Sequence, residues 1–299
     1  MTATDTAPVS AARPRRRRLK SETMLDHAIL ICGALFMLTP IYLALTTASH
    51  DKVLTQREGL QWDFGSETLI NFNNAMFEPG GFTGDITGAT MLMNSFILGV
   101  GFAVGKIILS MMAAYAIVYF RLRFATLAFW VIFTTLLLPL EVRIVPSYEV
   151  IQSMGLTNSY TGLIVPLLAS ATGTFFFRQF FLSVPEELVE AARIDGAGPF
   201  KFFVDILVPL SRTMIAAIFI IMFVYGWNQY LWPTLITTEE SLFTLVRGIR
   251  QIVQAMAEGS EIPDYGRAMA LALIAMIPPV AIVVTFQSWF VKGLTETDK

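Results

Sequence analysis

The chain has 299 residues, of which 55% are hydrophobic and only 15% are charged, and its formal net charge at pH 7 is −2. Soluble domains carry about 25% charged residues, so this composition indicates a membrane protein, and the small net charge argues against a nucleic-acid partner. A single cysteine, Cys32, excludes an internal disulfide, and His27 and His50 lie too far apart in sequence to suggest a metal site.

Six apolar segments reach about 20 residues or more, the length that a helix needs to cross a bilayer of roughly 30 Å. Their hydrophobicity is unbroken rather than alternating, which predicts helices and not the strands of a barrel. The predicted fold class is therefore all-α, a polytopic membrane protein. The six predicted transmembrane helices lie at about residues 26–47, 91–119, 125–146, 161–182, 212–236 and 267–290.

The first 24 residues form a basic tail that contains the run from Arg15 to Arg18. The apolar segment behind it is longer than the core of a secretory signal peptide, so we expect an uncleaved first transmembrane helix. Cleavage near residues 46–49 is the alternative. Residues 49–90 are rich in acidic residues, Gly, Asn and Thr, and this stretch predicts an irregular or lightly structured external loop.

The distribution of Lys and Arg predicts the orientation of the six helices. With the N-terminus inside, fourteen of these residues fall on the cytoplasmic side and six on the external side. Positive residues resist translocation, so we expect both termini to be cytoplasmic.

The second apolar segment contains Gly101 and Gly105, whose spacing lets two helices approach closely. Lys106 follows, so the run superficially resembles a phosphate-binding loop. The glycines are one residue too close for that motif, and Ile107 replaces the Ser or Thr that would hold magnesium. We therefore predict that this chain binds neither ATP nor magnesium and carries no other cofactor.

Residues 183–210, the 183–210 loop, are predicted to form two short helices that meet at a bend. Ser183 and Glu186 have the spacing of a capping box, which predicts a helix over about 184–195. Gly196 suits the left-handed residue that ends such a helix, and a second helix is expected from Pro199 until Pro209 closes it.

This loop resembles the EAA loop of the permeases of binding-protein-dependent ABC importers, whose pattern is E-A-A-x3-G-x9-I-x-L-P. Only Val208, in place of Leu, departs from it. The residues that carry the resemblance are Glu190, Ala191, Ala192, Gly196, Ile206, Val208 and Pro209. The resemblance implies a permease domain over residues 25–299 whose 183–210 loop docks on an ATPase subunit. Glu190 and Asp195 would offer charge, Ala191 and Ala192 would permit close approach, and Gly196 would allow the turn.

Beyond the loop, residues 178–181 and 227–233 resemble the carbohydrate-type, MalG-like permeases. Residues 138–151, 225–233 and 290–294 resemble most closely the permeases of sn-glycerol-3-phosphate importers. The resemblance implies a bacterial inner-membrane protein without catalytic residues, carrying sn-glycerol-3-phosphate or a glycerophosphodiester by alternating access. It implies as partners a second permease, two ATP-binding cassette subunits that bind ATP and magnesium, and an external binding protein. A sugar or polyol importer and an ion-coupled transporter are the alternatives.

An anionic solute needs cationic or donor groups along its path, which singles out two basic residues and one polar run. Lys106 lies near the middle of the second segment, where it lines a pathway or pairs with a partner subunit. Arg143 lies near the external end of the third, where it lines the pathway or sits at the interface with lipid headgroups. The run in the fifth segment could line the path, bond a neighbouring helix or form an interfacial aromatic belt. Its members are Trp227, Asn228, Gln229 and Tyr230.

Overall fold

The computed structural model describes residues 20–79, 85–120, 122–135, 139–257 and 264–295, and helices account for most of them, with no strand among them. This confirms the all-α prediction. The α-helices are α1 (Lys20–Thr47), α2 (Lys52–Glu58), α3 (Thr68–Phe77), α4 (Gly88–Tyr119), α5 (Ala125–Thr134), α6 (Leu140–Ser153), α7 (Tyr160–Ile164), α8 (Ala171–Leu182), α9 (Glu186–Ile194), α10 (Pro199–Lys201), α11 (Val208–Leu210), α12 (Arg212–Trp227), α13 (Leu231–Ile236), α14 (Leu245–Ala257) and α15 (Tyr265–Thr295).

The fold divides into two units, residues 1–43 and residues 44–299. In the first unit the described residues belong to α1, whose side chains over residues 23–38 are exposed and mostly apolar. An exposed apolar helix of this length is what a lipid-facing span presents. The basic run at 15–18 lies outside the described residues. Because α1 begins at Lys20, the boundary predicted after residue 24 falls within this helix.

Three helices of the described residues are long and apolar enough to cross a membrane. They are Thr23–Thr47, Gly88–Tyr119 and Tyr265–Gln287. Two bent pairs also qualify if each counts as one span, namely Tyr160–Leu167 with Ala171–Leu182, bent by 50°, and Pro199–Leu210 with Arg212–Trp227, bent by 75°. The apolar helix α5 is shorter. Three of the six predicted segments are thus single long helices.

The third and fifth segments, like the fourth, each consist of two helices separated by a break, which the predicted spans did not specify. In the third, α5 ends at Thr134 and α6 begins at Leu140, after Pro139 in an extended conformation. In the fifth, α12 ends at Trp227 and α13 begins only at Leu231. The helix after each break has a proline just before or within its first turn, namely Pro139 before α6 and Pro233 in α13. At these positions the missing amide hydrogen removes no helical hydrogen bond.

The central helix of the second unit is α4, which packs against both α8 and α12, while α12 also packs against α15. The predicted packing role of its glycines is confirmed. A Cβ atom at Gly101 would lie 2.7 Å from Ile164 Cδ1, and one at Gly105 would overlap Leu168 Cδ2. Small residues on α4 therefore leave room for the first half of the bent fourth span and for its break to approach the α4 backbone.

In the stretch predicted to be irregular or lightly structured, the described residues 49–79 contain two short helices, α2 and α3, and are more ordered than composition indicates. Asp51 caps α2 by accepting hydrogen bonds from the Val53 and Leu54 amides, at 2.8 and 3.0 Å. The buried Asn71 of α3 donates to the carbonyls of Ala48 and His50, at 3.0 and 2.8 Å. Local capping and one buried amide thus give this segment a defined fold, a combination that composition alone does not reveal.

Gly105→Val is expected to destabilise the second unit by about 1–3 kcal/mol, because the added atoms overlap the Leu168 side chain, which must shift within the tight contact between α4 and the break of the fourth span. The measurement is thermal unfolding of the purified protein in detergent. Gly33→Val is the matched control, since nothing lies within 4 Å of a Cβ atom at Gly33. Equal melting temperatures for the two variants would contradict the packing role.

Candidate functional site

The 183–210 loop forms a helical knuckle whose bend is at Gly196. There φ is +72°, in the left-handed region that glycine adopts without strain, which confirms the prediction. The Gly196 amide donates to the Arg193 carbonyl at 3.0 Å, and the Ala197 amide donates to the Ala192 carbonyl at 2.9 Å. These bonds close α9 and turn the chain toward Gly198.

The ends of the knuckle differ from the prediction. Ser183 still belongs to the end of α8, and its hydroxyl donates to the Phe180 carbonyl at 2.7 Å, so the predicted capping box is wrong. The helix α9 starts after Pro185, at Glu186. The second helix does not close at Pro209 either. It widens into a π-helical turn over Phe202–Leu207 and continues to Leu210, and because the widened turn precedes it, the proline ring is accommodated.

Two tyrosines at the end of α4 fix the knuckle to the helix bundle. The Tyr115 hydroxyl donates to the Pro199 carbonyl at 2.8 Å, and the Tyr119 hydroxyl donates to the Phe181 carbonyl at 3.2 Å. The Phe202 ring is buried, 5.4 Å from the Tyr119 ring centroid. The knuckle is therefore held at the end of the central helix by one directed hydrogen bond and by aromatic packing, while the Tyr119 hydroxyl ties α4 to the end of α8.

The exposed face of α9 differs in part from the predicted one. Ala192 is buried in the hydrophobic core of this chain, so its small size serves internal packing rather than the close approach of a partner. Glu190, Ala191 and Asp195 are exposed, as a contact surface requires.

Sequence reasoning missed Ile194 and Phe200, which flank the bend and are 85% and 79% exposed. Bulky apolar residues on both sides of a glycine in a polar loop are the signal that could have identified them.

A cavity of about 290 Å³ lies where α4, α6, α8 and α12 meet, and it brings together two of the predicted pathway residues, Lys106 and Arg143. Lys106 is 9% exposed, with Nζ 4.2 Å from the Phe102 ring centroid and 5.6 Å from that of Tyr225. Arg143 is exposed on α6. Lys106 and Arg143, which are 37 positions apart in sequence, thus line the same cavity.

The other predicted pathway residues lie elsewhere, since none of them lines this cavity. Trp227 is buried, and its Nε1 donates to the Ala275 carbonyl at 3.2 Å, which ties α12 to α15. Asn228 and Gln229 each donate back to a carbonyl of α12, at 2.9 and 3.4 Å.

The Arg250 guanidinium stacks on the Tyr230 ring, with Cζ 4.6 Å from the ring centroid. The structure therefore gives this run helix-packing and capping contacts. The aromatic residue of α12 that lines the cavity is Tyr225, which sequence reasoning missed.

Comparisons with known proteins agree with this architecture. Residues 106–296 match the family described as binding-protein-dependent transport system inner membrane component. The chain is 47% identical over 276 residues to the sn-glycerol-3-phosphate transport system permease protein UgpE of Brucella melitensis, covering 92% of this chain and 97% of the relative. It is 46% identical over 279 residues to the protein of that name from Rhizobium meliloti, with 92% and 97% covered.

A solved structure has the same fold. It is the crystal structure of a bacterial ABC transporter involved in the import of the acidic polysaccharide alginate, with a TM-score of 0.76 and 18% identity. The match covers 93% of this chain and 100% of that one. At this identity the likeness shows the fold alone.

Gly196→Val is expected to destabilise the bend by about 1–2 kcal/mol, since a β-branched side chain is strained at a positive φ. Hydrogen exchange at the Ala197 amide measures the effect, as that amide closes the turn. Gly198→Val is the control, because Gly198 has a φ of −69° and open space around its Cβ position. Faster exchange in the control than in Gly196→Val would overturn this assignment.

Proposed function

The chain belongs to the family of binding-protein-dependent transport system inner membrane components, and we propose that its importer carries sn-glycerol-3-phosphate or a glycerophosphodiester. It is a permease subunit of an ABC importer in a membrane, and it is a transporter subunit rather than an enzyme. The substrate assignment comes from relatives that are 46–47% identical over most of both chains and are named for sn-glycerol-3-phosphate transport.

One observation of the structure carries the assignment to an anionic solute, namely that Lys106 and Arg143 line the same cavity. A lysine at the centre of a bilayer costs about 2.5–3.5 kcal/mol on insertion scales, so an intramembrane lysine indicates a functional role. A neutral sugar or polyol has no use for two cations along its path. This favours an organic phosphate over the carbohydrate alternative.

The transport mechanism that we propose is alternating access between two states of a permease pair. A second, similar permease completes the pathway, and an external binding protein delivers the solute. Two ATP-binding cassette subunits bind ATP and magnesium and drive the change between states. Membership of the family supports the existence of partner subunits. The proposed number and kind of these subunits come from the resemblance of the 183–210 loop to the EAA loop of ABC importer permeases.

The 183–210 loop is the proposed contact with an ATPase subunit. Its exposed face combines the carboxylates of Glu190 and Asp195 with the apolar side chains of Ile194 and Phe200. Large apolar side chains exposed in a polar loop mark an interaction surface. The bond from Tyr115 to Pro199 of this loop, together with the packing of Phe202 on Tyr119, would pass a movement of the contact on to α4.

The proposed location is the bacterial inner membrane, with both termini in the cytoplasm. This orientation follows from the excess of Lys and Arg in the segments that it places inside. It also places the 183–210 loop in the cytoplasm, where ATP is available.

The complete importer, reconstituted with its binding protein in liposomes, is expected to hydrolyse ATP faster when sn-glycerol-3-phosphate is added. Maltose, added separately, is expected to leave the rate unchanged, because a neutral sugar gains nothing from the two cations. The measurement is phosphate release at increasing concentrations of each solute. Stimulation by maltose alone would refute the substrate assignment.

Ile194→Asp and Phe200→Asp are each expected to abolish co-purification of the ATPase subunit, since each buries a carboxylate in an apolar contact. The measurement is the ratio of ATPase subunit to permease after affinity purification in detergent. Leu69→Asp is the matched control, because Leu69 is equally exposed, at 84%, on α3. Retention of the ATPase by both loop variants would remove the loop from the interface.

A further inference from the structure

We propose that the cavity lined by Lys106 and Arg143 is a phosphomonoester site, in which the start of α8 binds the phosphate group of the solute as it crosses the membrane. The inference rests on the proposed function and adds to it the groups that hold the phosphate. Those groups are the Lys106 ammonium, the first-turn amides of α8 and the guanidinium of Arg143.

The fourth span is broken inside the bundle, and the break opens on this cavity. Tyr160–Leu167 and Ala171–Leu182 meet at an angle of 50°, and residues 169–172 line the cavity. Ser170 caps α8 by accepting a hydrogen bond from the Gly173 amide at 3.2 Å. The hydrogen bonds of the described residues leave the Ala171 and Thr172 amides without an acceptor. Free amides and the positive end of a helix dipole together favour an anion.

Lys106 supplies an independent indication of a ligand. Its side chain is more than nine-tenths buried, and the described contacts of Nζ are the faces of the Phe102 and Tyr225 rings. No Asp or Glu is among the described residues that line the cavity. A buried ammonium without a carboxylate is costly, so an anion that enters the cavity gains a charge-assisted hydrogen bond.

Charge balance selects the class of anion. Two cations line this cavity without an anion among the described lining residues. The positive charge of each one therefore makes it less favourable for the other to stay charged. A phosphomonoester carries about −1.5 to −2 charges at pH 7 and three acceptor oxygens, which matches both cations and the free amides. A phosphodiester carries one negative charge and would leave half of this positive charge unpaired. The volume of about 290 Å³ also suits a small solute.

The contacts of the cavity wall fit the rest of such a solute. The Tyr225 ring stacks on Phe102, with centroids 5.6 Å apart, and lines the cavity beside Lys106. Its face and the Phe102 ring hold the ammonium in place through cation–π contacts. A small polyol attached to the phosphate would lie against Tyr225 and the hydroxyl of Thr172.

The test uses the complete importer in liposomes and compares the initial uptake rate of radiolabelled sn-glycerol-3-phosphate among variants. Lys106→Met is expected to lower the rate about tenfold or more, because a charged hydrogen bond to the phosphate is lost. Lys106→Arg is expected to recover most of it. Arg143→Gln is expected to lower the rate less, since Arg143 is exposed whereas Lys106 is buried. Lys52→Met and Arg57→Gln, in the exposed helix α2, are the matched controls.

The outcomes separate this inference from the proposed function. If the wild-type importer takes up no sn-glycerol-3-phosphate, the proposed function fails. If the wild type takes it up and Lys106→Met and Arg143→Gln match their controls, the phosphate site alone is overturned. A lipid phosphate is the other source of the same chemistry. Loss of co-purifying anionic lipid from Lys106→Met, with uptake unchanged, would show that the cavity binds a lipid headgroup and would refute the transport site.

Discussion

The close approach of α4 to the bent fourth span is the constraint on which the rest of this structure depends. A side chain at Gly105 would overlap Leu168, and one at Gly173 would overlap the hydroxyl of Ser110. Small residues at these positions let the backbones approach closely, and α8 begins beside Lys106 at this contact. The cavity thus lies next to a tight helix contact that glycines on both helices accommodate.

The same helix connects the cavity with the 183–210 loop. Lys106 and Tyr115 are nine residues apart on α4, which corresponds to about 14 Å at a rise of 1.5 Å per residue. Tyr115 donates to the Pro199 carbonyl of the loop, and Lys106 lines the cavity. A displacement of the loop therefore has a direct mechanical connection to the cavity wall, through one helix and a single hydrogen bond. This geometry suits a permease whose solute path must respond to ATP hydrolysis elsewhere.

Where the structure departs from the sequence-based predictions, local backbone chemistry is the reason. Hydropathy identifies residues 125–146 and 212–236 as apolar, but it does not predict where a helix ends within them. In the structure α5 ends at Thr134 and α12 ends at Trp227. The serine at 183 has the spacing of a helix cap, yet its hydroxyl bonds backward to α8. A cap and a helix end use the same hydrogen-bonding groups, so sequence spacing does not distinguish them.

The amino-acid sequence by itself determined the all-helical membrane class, the family and the bend at Gly196, because each depends on local features: apolar length, motif spacing and the freedom of glycine. Tertiary structure alone decided which polar residues share a site. It brought Arg143 to Lys106, added Tyr225 and the start of α8, and placed the polar run from Trp227 to Tyr230 outside that cavity. The physical reason is that a site is formed by side chains from different helices. Their neighbours are fixed by how the helices pack and where they break, and neither is encoded in a single segment.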